Sequence, residues 1–167
     1  AKYQPMCDLW IETPGHDTAQ EYRRELSLGD AVATTTYKVG EVAFRREILI
    51  SAVDQTLAGS FTADRRGAIS LTAYLAGVMD YGKGYTGGGG TIEGNSTKGR
   101  GVGTIRTEAC APGELLLHGK VDDGVITYQI RLRVMAQGGK LHMEGDRIRV
   151  EGADSVELLL AAATNFK

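Results

Sequence analysis

The sequence predicts an all-β fold, an antiparallel β-sandwich carrying one long glycine-rich loop. Three observations lead there. Apolar residues recur with period two through most of the chain, the spacing that puts one face of a strand in a core and the other in water. Turn-forming residues punctuate those runs at short intervals, as in a sandwich or barrel rather than in βαβ units. The stretch 82–103 breaks the pattern. It holds ten glycines, and its only large apolar residues are Tyr85, Ile92 and Val102, so it cannot build a core and reads as a long surface loop.

Strands are expected at 6–12, 22–28, 31–38, 42–52, 55–63, 67–75, 114–120, 125–136, 139–143, 146–151 and 154–163. The first carries Asp8-Leu9-Trp10-Ile11-Glu12. For 17–28 two readings stay open. Asp17 or Thr18 with Gln20 or Glu21 three residues on fits a helix cap, and Ala19, Tyr22 and Leu26 share a helical face. A strand instead aligns Tyr22, Arg24, Leu26 and Leu28. Gly40-Glu41, between Val39 and Val42, reads as a tight hairpin turn with glycine first. Val42, Phe44, Ile48 and Ile50 share one face of the next strand, and Leu57 and Phe61 flank Gly59 on the one after. Ile69, Leu71, Ala73 and Leu75 repeat the alternation. The clearest run is Ile126, Tyr128, Ile130, Leu132 and Val134, between Thr127, Gln129, Arg131 and Arg133. Ile148 and Val150 alternate with Arg147, Arg149 and Glu151. Asp64-Arg65-Arg66-Gly67, Asp122-Asp123-Gly124, Gly138-Gly139 and Glu144-Gly145-Asp146 supply the remaining turns.

A length of 167 residues suits one domain spanning 1–167. The net charge of −2 lacks the basic excess that a nucleic-acid partner requires. The longest apolar run, Leu158 to Ala163, falls far short of the roughly 20 residues of a membrane-spanning helix. The start, Ala1-Lys2-Tyr3-Gln4-Pro5, shows no apolar signal-peptide region. Cys7 and Cys110 are far apart and lack CxxC spacing. The pair therefore suggests neither zinc nor a disulfide scaffold, and two buried free thiols is the favoured reading.

No motif assembles a catalytic constellation. Gly82-Lys83-Gly84-Tyr85-Thr86-Gly87 matches GxGxxG, but the glycines that follow cannot open the helix a dinucleotide site needs. His16, His118 and His142 form no HxH or HxxxH pair, so no metal and no cofactor is expected. No GxSxG elbow is present. The acid pairs Glu21 with Glu25 and Asp122 with Asp123 have the residue types of glycosidase chemistry, but read as solvated charges and a turn. Asn95-Ser96-Thr97 is a glycan-acceptor triplet. The doublets Arg23-Arg24, Arg45-Arg46 and Arg65-Arg66 each put one guanidinium inward or at a sheet edge, where a carboxylate partner is expected. Glu25 and Glu47 are the candidates. Trp10, the one tryptophan, suits either a sugar face or the core, with core or interface packing the expected role. It is the single substrate-binding candidate.

Several phrases in order form a larger pattern. They are Tyr3-Gln4-Pro5, Asp8-Leu9-Trp10, Tyr22-Arg23-Arg24-Glu25-Leu26-Ser27-Leu28 and Ala31-Val32-Ala33-Thr34. Val42-Ala43-Phe44-Arg45-Arg46-Glu47, Ser51-Ala52-Val53-Asp54-Gln55, Phe61-Thr62-Ala63-Asp64 and Gly67-Ala68-Ile69-Ser70 follow. The series closes with Gly138-Gly139, Val150-Glu151-Gly152-Ala153-Asp154 and Leu159-Leu160-Ala161-Ala162-Ala163-Thr164-Asn165. Together they resemble the N-terminal β domain of glycoside hydrolase family 95, whose members are α-L-fucosidases and some α-L-galactosidases. The resemblance covers the chain outside about 78–112. Met6-Cys7 departs from the Leu-Gly usual in that family, and 82–103 does not match its pattern.

The resemblance implies two antiparallel sheets, with 17–28 as strand rather than helix. It implies that the chain is an internal piece of a longer polypeptide, secreted or periplasmic. In that family a helical (α/α)6 barrel carries the chemistry: a glutamic acid protonates the leaving oxygen, and asparagine with aspartate activates water, with inversion. None of that barrel is in these residues, so no catalytic residue carries over. The expected function is the non-catalytic β-sandwich portion of an α-L-fucosidase, whose parent acts on fucosylated glycans. A free-standing carbohydrate-binding or scaffold domain is the alternative, which an exposed aromatic platform would favour. Nucleotide binding through Gly82–Gly87 is a third reading.

Overall fold

The structure is a computed structural model that describes residues 6–76, 104–121 and 125–166. The expected glycine-rich loop, the GxGxxG match, the glycan-acceptor triplet and the turn at Asp122-Asp123-Gly124 lie outside the described residues.

The described residues form twelve strands: β1 (Asp8–Glu12), β2 (Gln20–Ser27), β3 (Val32–Val39), β4 (Val42–Ser51), β5 (Thr56–Ala63), β6 (Ile69–Ala76), β7 (Thr104–Ala111), β8 (Glu114–Lys120), β9 (Thr127–Gln137), β10 (Lys140–Glu144), β11 (Arg147–Ala153) and β12 (Ser155–Thr164). They make two antiparallel sheets. The smaller has the order β1-β6-β11-β10, and the larger has the order β2-β3-β4-β5-β12-β9-β8-β7. The all-β sandwich expected from the sequence is the fold observed.

Between the sheets lies one core. Leu71, Leu115, Leu117, Ile130, Leu132, Ile148, Val150, Val156 and Leu158 are its largest fully enclosed side chains. Burying one such side chain contributes roughly 1.5–3 kcal/mol. Each comes from the apolar parity of its strand: β9 reads Tyr128, Ile130, Leu132, Val134 inward, with Thr127, Gln129, Arg131 and Arg133 outward. The Gly40-Glu41 hairpin is as expected, with Val39 opposite Val42 and Gly40 at φ 59°, the left-handed region that glycine enters without penalty.

Three details depart from the expectations. Residues 20–27 are strand, so the helix reading of this segment is wrong; pairing with β3 satisfies its backbone, although every β2 side chain is exposed. Strand β7 was not expected, because its alternate residues Ile105, Thr107 and Ala109 carry little apolar signal; it is held as the outermost strand by β8. The two thiols are free but not both buried: Cys7 is half-buried and Cys110 exposed on β7.

The smaller sheet leaves part of the larger one uncovered. By register, Leu26, Ala33 and Ile48 share a row with Gly59, Leu158 and Val134. Ile50 and Leu57 share the next row with Leu160 and Leu132. These rows lie on the core-facing side. Leu158, Val134 and Leu132 are enclosed, whereas Ile50 is 70% exposed and Leu26 63%. So Val42, Phe44, Ile48 and Ile50 do share a face, but the core covers only its Phe44 end.

Candidate functional site

Two side-chain clusters have defined geometry, one on an outer face and one at the edge of the core. The first is on the outer face of the smaller sheet. Trp10 lies between Leu9 and Ile11, and Tyr74 between Ala73 and Leu75. Since Leu9, Ile11, Ala73 and Leu75 face the core, strand alternation turns Trp10 and Tyr74 outward. They are direct cross-strand partners. Their rings are parallel within 6°, with centroids 6.2 Å apart. On the far side of Tyr74, its β11 partner Arg147 places its guanidinium carbon 3.9 Å from the ring centroid. A three-layer stack, Arg147–Tyr74–Trp10, thus runs across β11, β6 and β1, held by cation–π and ring–ring attraction. Glu12 ties it together, accepting a hydrogen bond from the Tyr74 hydroxyl at 2.9 Å and pairing with Arg147 at 3.6 Å. Partial burial, and then the Glu12 carboxylate, hold the Tyr74 hydroxyl above its ordinary pKa. Trp10 is 44% exposed, so of the expected core or interface packing the core alternative is corrected.

The second cluster surrounds Arg46. It points inward from β4, as the doublet pattern requires, but no carboxylate lies within ion-pair reach among the described residues. Its guanidinium donates to the Thr13 hydroxyl at 3.0 Å and to the Tyr37 hydroxyl at 2.5 Å. It also sits 4.9 Å from the Tyr37 ring centroid and 5.7 Å from that of Phe61. His16 Nδ1 meets the same Tyr37 hydroxyl at 2.8 Å, and its ring packs 4.5 Å from Phe44. Burial, then the Arg46 charge, lowers the His16 pKa below its usual value. The expected carboxylate partner of the inward arginine is therefore replaced by aromatic faces and hydroxyls. Glu47 and Glu25, the candidate partners, pair instead with the outward arginines, Arg45 at 2.6 Å and Arg23.

Neither cluster, nor any other among the described residues, presents an acid pair set for glycoside hydrolysis. Glu21 pairs with Lys38 at 2.9 Å and Glu25 with Arg23. His118 lies 3.3 Å from Glu108, and His142 lies 3.7 Å from Glu151. No group of three or more His, Cys, Asp or Glu residues among the described residues is placed to hold a metal ion. A cavity of about 740 Å³ at one end of β8 and β9 is lined by Arg106, His118, Lys120, Gln129 and Asn165 with their neighbours. Among the described residues no carboxylate lines it. Proton donation to a leaving oxygen and activation of water need two carboxyl groups flanking one bond.

Sequence reading singled out Trp10 but missed Tyr74, Arg147 and Glu12 as its neighbours. Part of the signal was there: the parity that sends Leu9 and Ile11 inward sends Trp10 out. The pairing of β1 with β6, and of β6 with β11, is not local and left no trace in the pattern.

The described residues form a two-sheet antiparallel β-sandwich that carries two ordered side-chain clusters. The chain belongs to the family described as the N-terminal domain of glycosyl hydrolase family 65, whose family model matches residues 1–167. It is also similar to alpha-L-fucosidase 2 of Arabidopsis thaliana, 28% identical over 179 residues. That match takes in 98% of this chain and 20% of the relative. The chain thus spans about a fifth of the length of the curated relative it matches. Among solved structures, it superposes on a putative kojibiose phosphorylase from the human microbiome with a TM-score of 0.54 at 11% identity, over 97% of this chain and 23% of that one. At that identity the likeness is one of fold.

Proposed function

We propose that the chain is the non-catalytic N-terminal β-sandwich of an α-L-fucosidase, whose catalytic helical (α/α)6 barrel lies elsewhere in the same polypeptide. The parent enzyme, secreted or periplasmic, removes α-linked L-fucose from glycans with inversion. One observation carries the reading: the similarity to an α-L-fucosidase runs through 98% of this chain while taking in a fifth of the relative. The uncovered apolar rows at Leu26, Ile48 and Ile50 support it, because a contiguous exposed apolar patch marks a surface that another body covers. In this reading that body is the rest of the polypeptide.

The test compares the isolated 167-residue chain with the native polypeptide that carries it. The isolated chain releases no fucose from α-fucosylated oligosaccharides. The parent does, and proton NMR of the first-formed sugar shows the inverted anomer. Turnover by the isolated chain that survives repurification, or a parent that leaves fucose in place, overturns the reading. A second reading, a free-standing carbohydrate-binding domain, is favoured by the exposed Trp10–Tyr74 stack. An immunoblot of the source separates the two: a native band at the size of this chain supports the free-standing domain.

A further inference from the structure

We propose that the outer face of the smaller sheet is a glycan-binding surface, with Trp10 as the stacking residue and Glu12, Arg147 and Arg149 as the polar rim. The choice of a glycan as ligand rests on the fucosidase reading; the surface itself rests on geometry.

The stack Arg147–Tyr74–Trp10 has an order imposed by the strands. Tyr74 is covered on both faces, by Arg147 from β11 and by Trp10 from β1. Trp10 is covered by Tyr74 on the β6 side alone, because β1 is the outermost strand of its sheet among the described residues. Its other indole face therefore looks off the sheet edge. Trp10 is held by parallel contact with Tyr74, so its ring is set before any ligand arrives and less ordering entropy is lost on binding. A pyranose ring suits such a surface. Its C–H face covers an aromatic face and removes apolar area from water. Its hydroxyls then lie at the rim, within reach of charged groups.

The rim is present and accessible. Arg149 and Glu12 lie on the same face as Trp10, since Arg149 pairs with Thr72 and Thr72 with Glu12 across the sheet. Glu12, Arg147 and Arg149 keep 50%, 43% and 48% of their side-chain surface. Arg147–Glu12 and Arg149–Glu144 stand 3.6 Å apart, while Arg149 also pairs with Glu151 at 2.8 Å. Exposed ion pairs contribute little by themselves, so a sugar hydroxyl competes for these carboxylate and guanidinium groups through charge-assisted hydrogen bonds. The face is open rather than concave, so it fits one or two residues of a glycan chain at modest affinity, not an enclosed small molecule.

The chain's one tryptophan makes the test direct, since emission excited selectively at the indole reports on Trp10 alone. The 167-residue chain is titrated with fucosyllactose and, separately, with a maltooligosaccharide. The expected result is a saturable emission change, half complete near about 1 mM, and weakened about tenfold in Arg147→Ala and Tyr74→Ala. Saturation-transfer NMR on the sugar gives a second readout, and its signal is lost in Trp10→Ala. Trp10 is half exposed, so this variant keeps its fold, which circular dichroism checks. Response to the maltooligosaccharide but not to fucosyllactose keeps the glycan surface and counts against the fucosidase reading. Response to neither sugar by either readout, up to roughly 50 mM, overturns the proposal. So does emission that shifts only with protein concentration, which would place a second copy of the chain against Trp10.

Discussion

A thiol and a guanidinium show how burial selects chemistry one residue at a time. Half-buried Arg46, which has no carboxylate partner among the described residues, is surrounded by two aromatic faces and two hydroxyls. Such contacts cost less desolvation than bringing a second ion inside. Cys7 has no such partners. Burial, helped by the adjacent Asp8 carboxylate, raises its pKa to about 11, so at pH 8 roughly one molecule in a thousand holds the thiolate there. Cys110 is exposed at the sheet edge. In the native chain one thiol, Cys110, therefore reacts with a disulfide reagent within minutes at pH 8. Cys7 reacts only after denaturant is added. Thiol titration of wild type and Cys110→Ser checks this; rapid reaction of both thiols would mean that the segment before β1 opens freely.

At the level of strands, the closest packing is a cross-strand pair. Gly119 on β8 faces Tyr128 on β9, and a Cβ at Gly119 would fall 2.0 Å from the ring carbon Cζ. The ring fills the space a side chain would take, and Tyr128 is buried. Gly119→Ala must displace that ring and destabilises the chain by about 1–3 kcal/mol. Gly40→Ala is a useful contrast. Nothing lies within 4 Å of its added Cβ, but φ is +59°, so its cost is backbone strain alone, about 1 kcal/mol. Urea midpoints of the two variants rank them. A Gly119→Ala variant as stable as wild type would mean that the β8–β9 pairing yields without cost.

At the scale of the whole molecule, the described residues form an unequal sandwich, with eight strands facing four. The smaller layer covers Phe44, Phe61 and Leu158 and stops short of Leu26 and Ile50. Leu26→Lys with Ile50→Lys tests what that exposure means. In the isolated chain both positions are already in water, so the pair of changes moves stability by no more than about 0.5 kcal/mol per site. In the parent polypeptide, where the proposed function covers these rows, two unpaired ammonium groups enter an apolar contact and cost about 2 kcal/mol or more. Melting curves of both proteins decide it. Equal effects in the two would remove this patch as the docking surface.

The amino-acid sequence by itself determined the fold class, the hairpin at Gly40-Glu41 and every strand except β2 and β7. Alternation and turn chemistry are local properties, written in consecutive residues. β7 escaped because, of its inward positions Ile105, Thr107 and Ala109, only Ile105 is large and apolar. Helix and strand could not be separated over 17–28, since both periods fit the same few residues, and the decision came from backbone pairing with β3. The tertiary structure alone decided which strands share a sheet, with β12 between β5 and β9. It also decided which apolar faces are covered, so that Leu158 is enclosed while Ile50 on the neighbouring row is not. The candidate site divides the same way. Trp10 was legible as an aromatic in a strand, and its outward direction follows from parity. Its neighbours Tyr74 and Arg147 were not legible, because they arrive from strands 62 or more residues away in sequence, and only the long-range pairing of β1, β6 and β11 brings the three side chains into one stack.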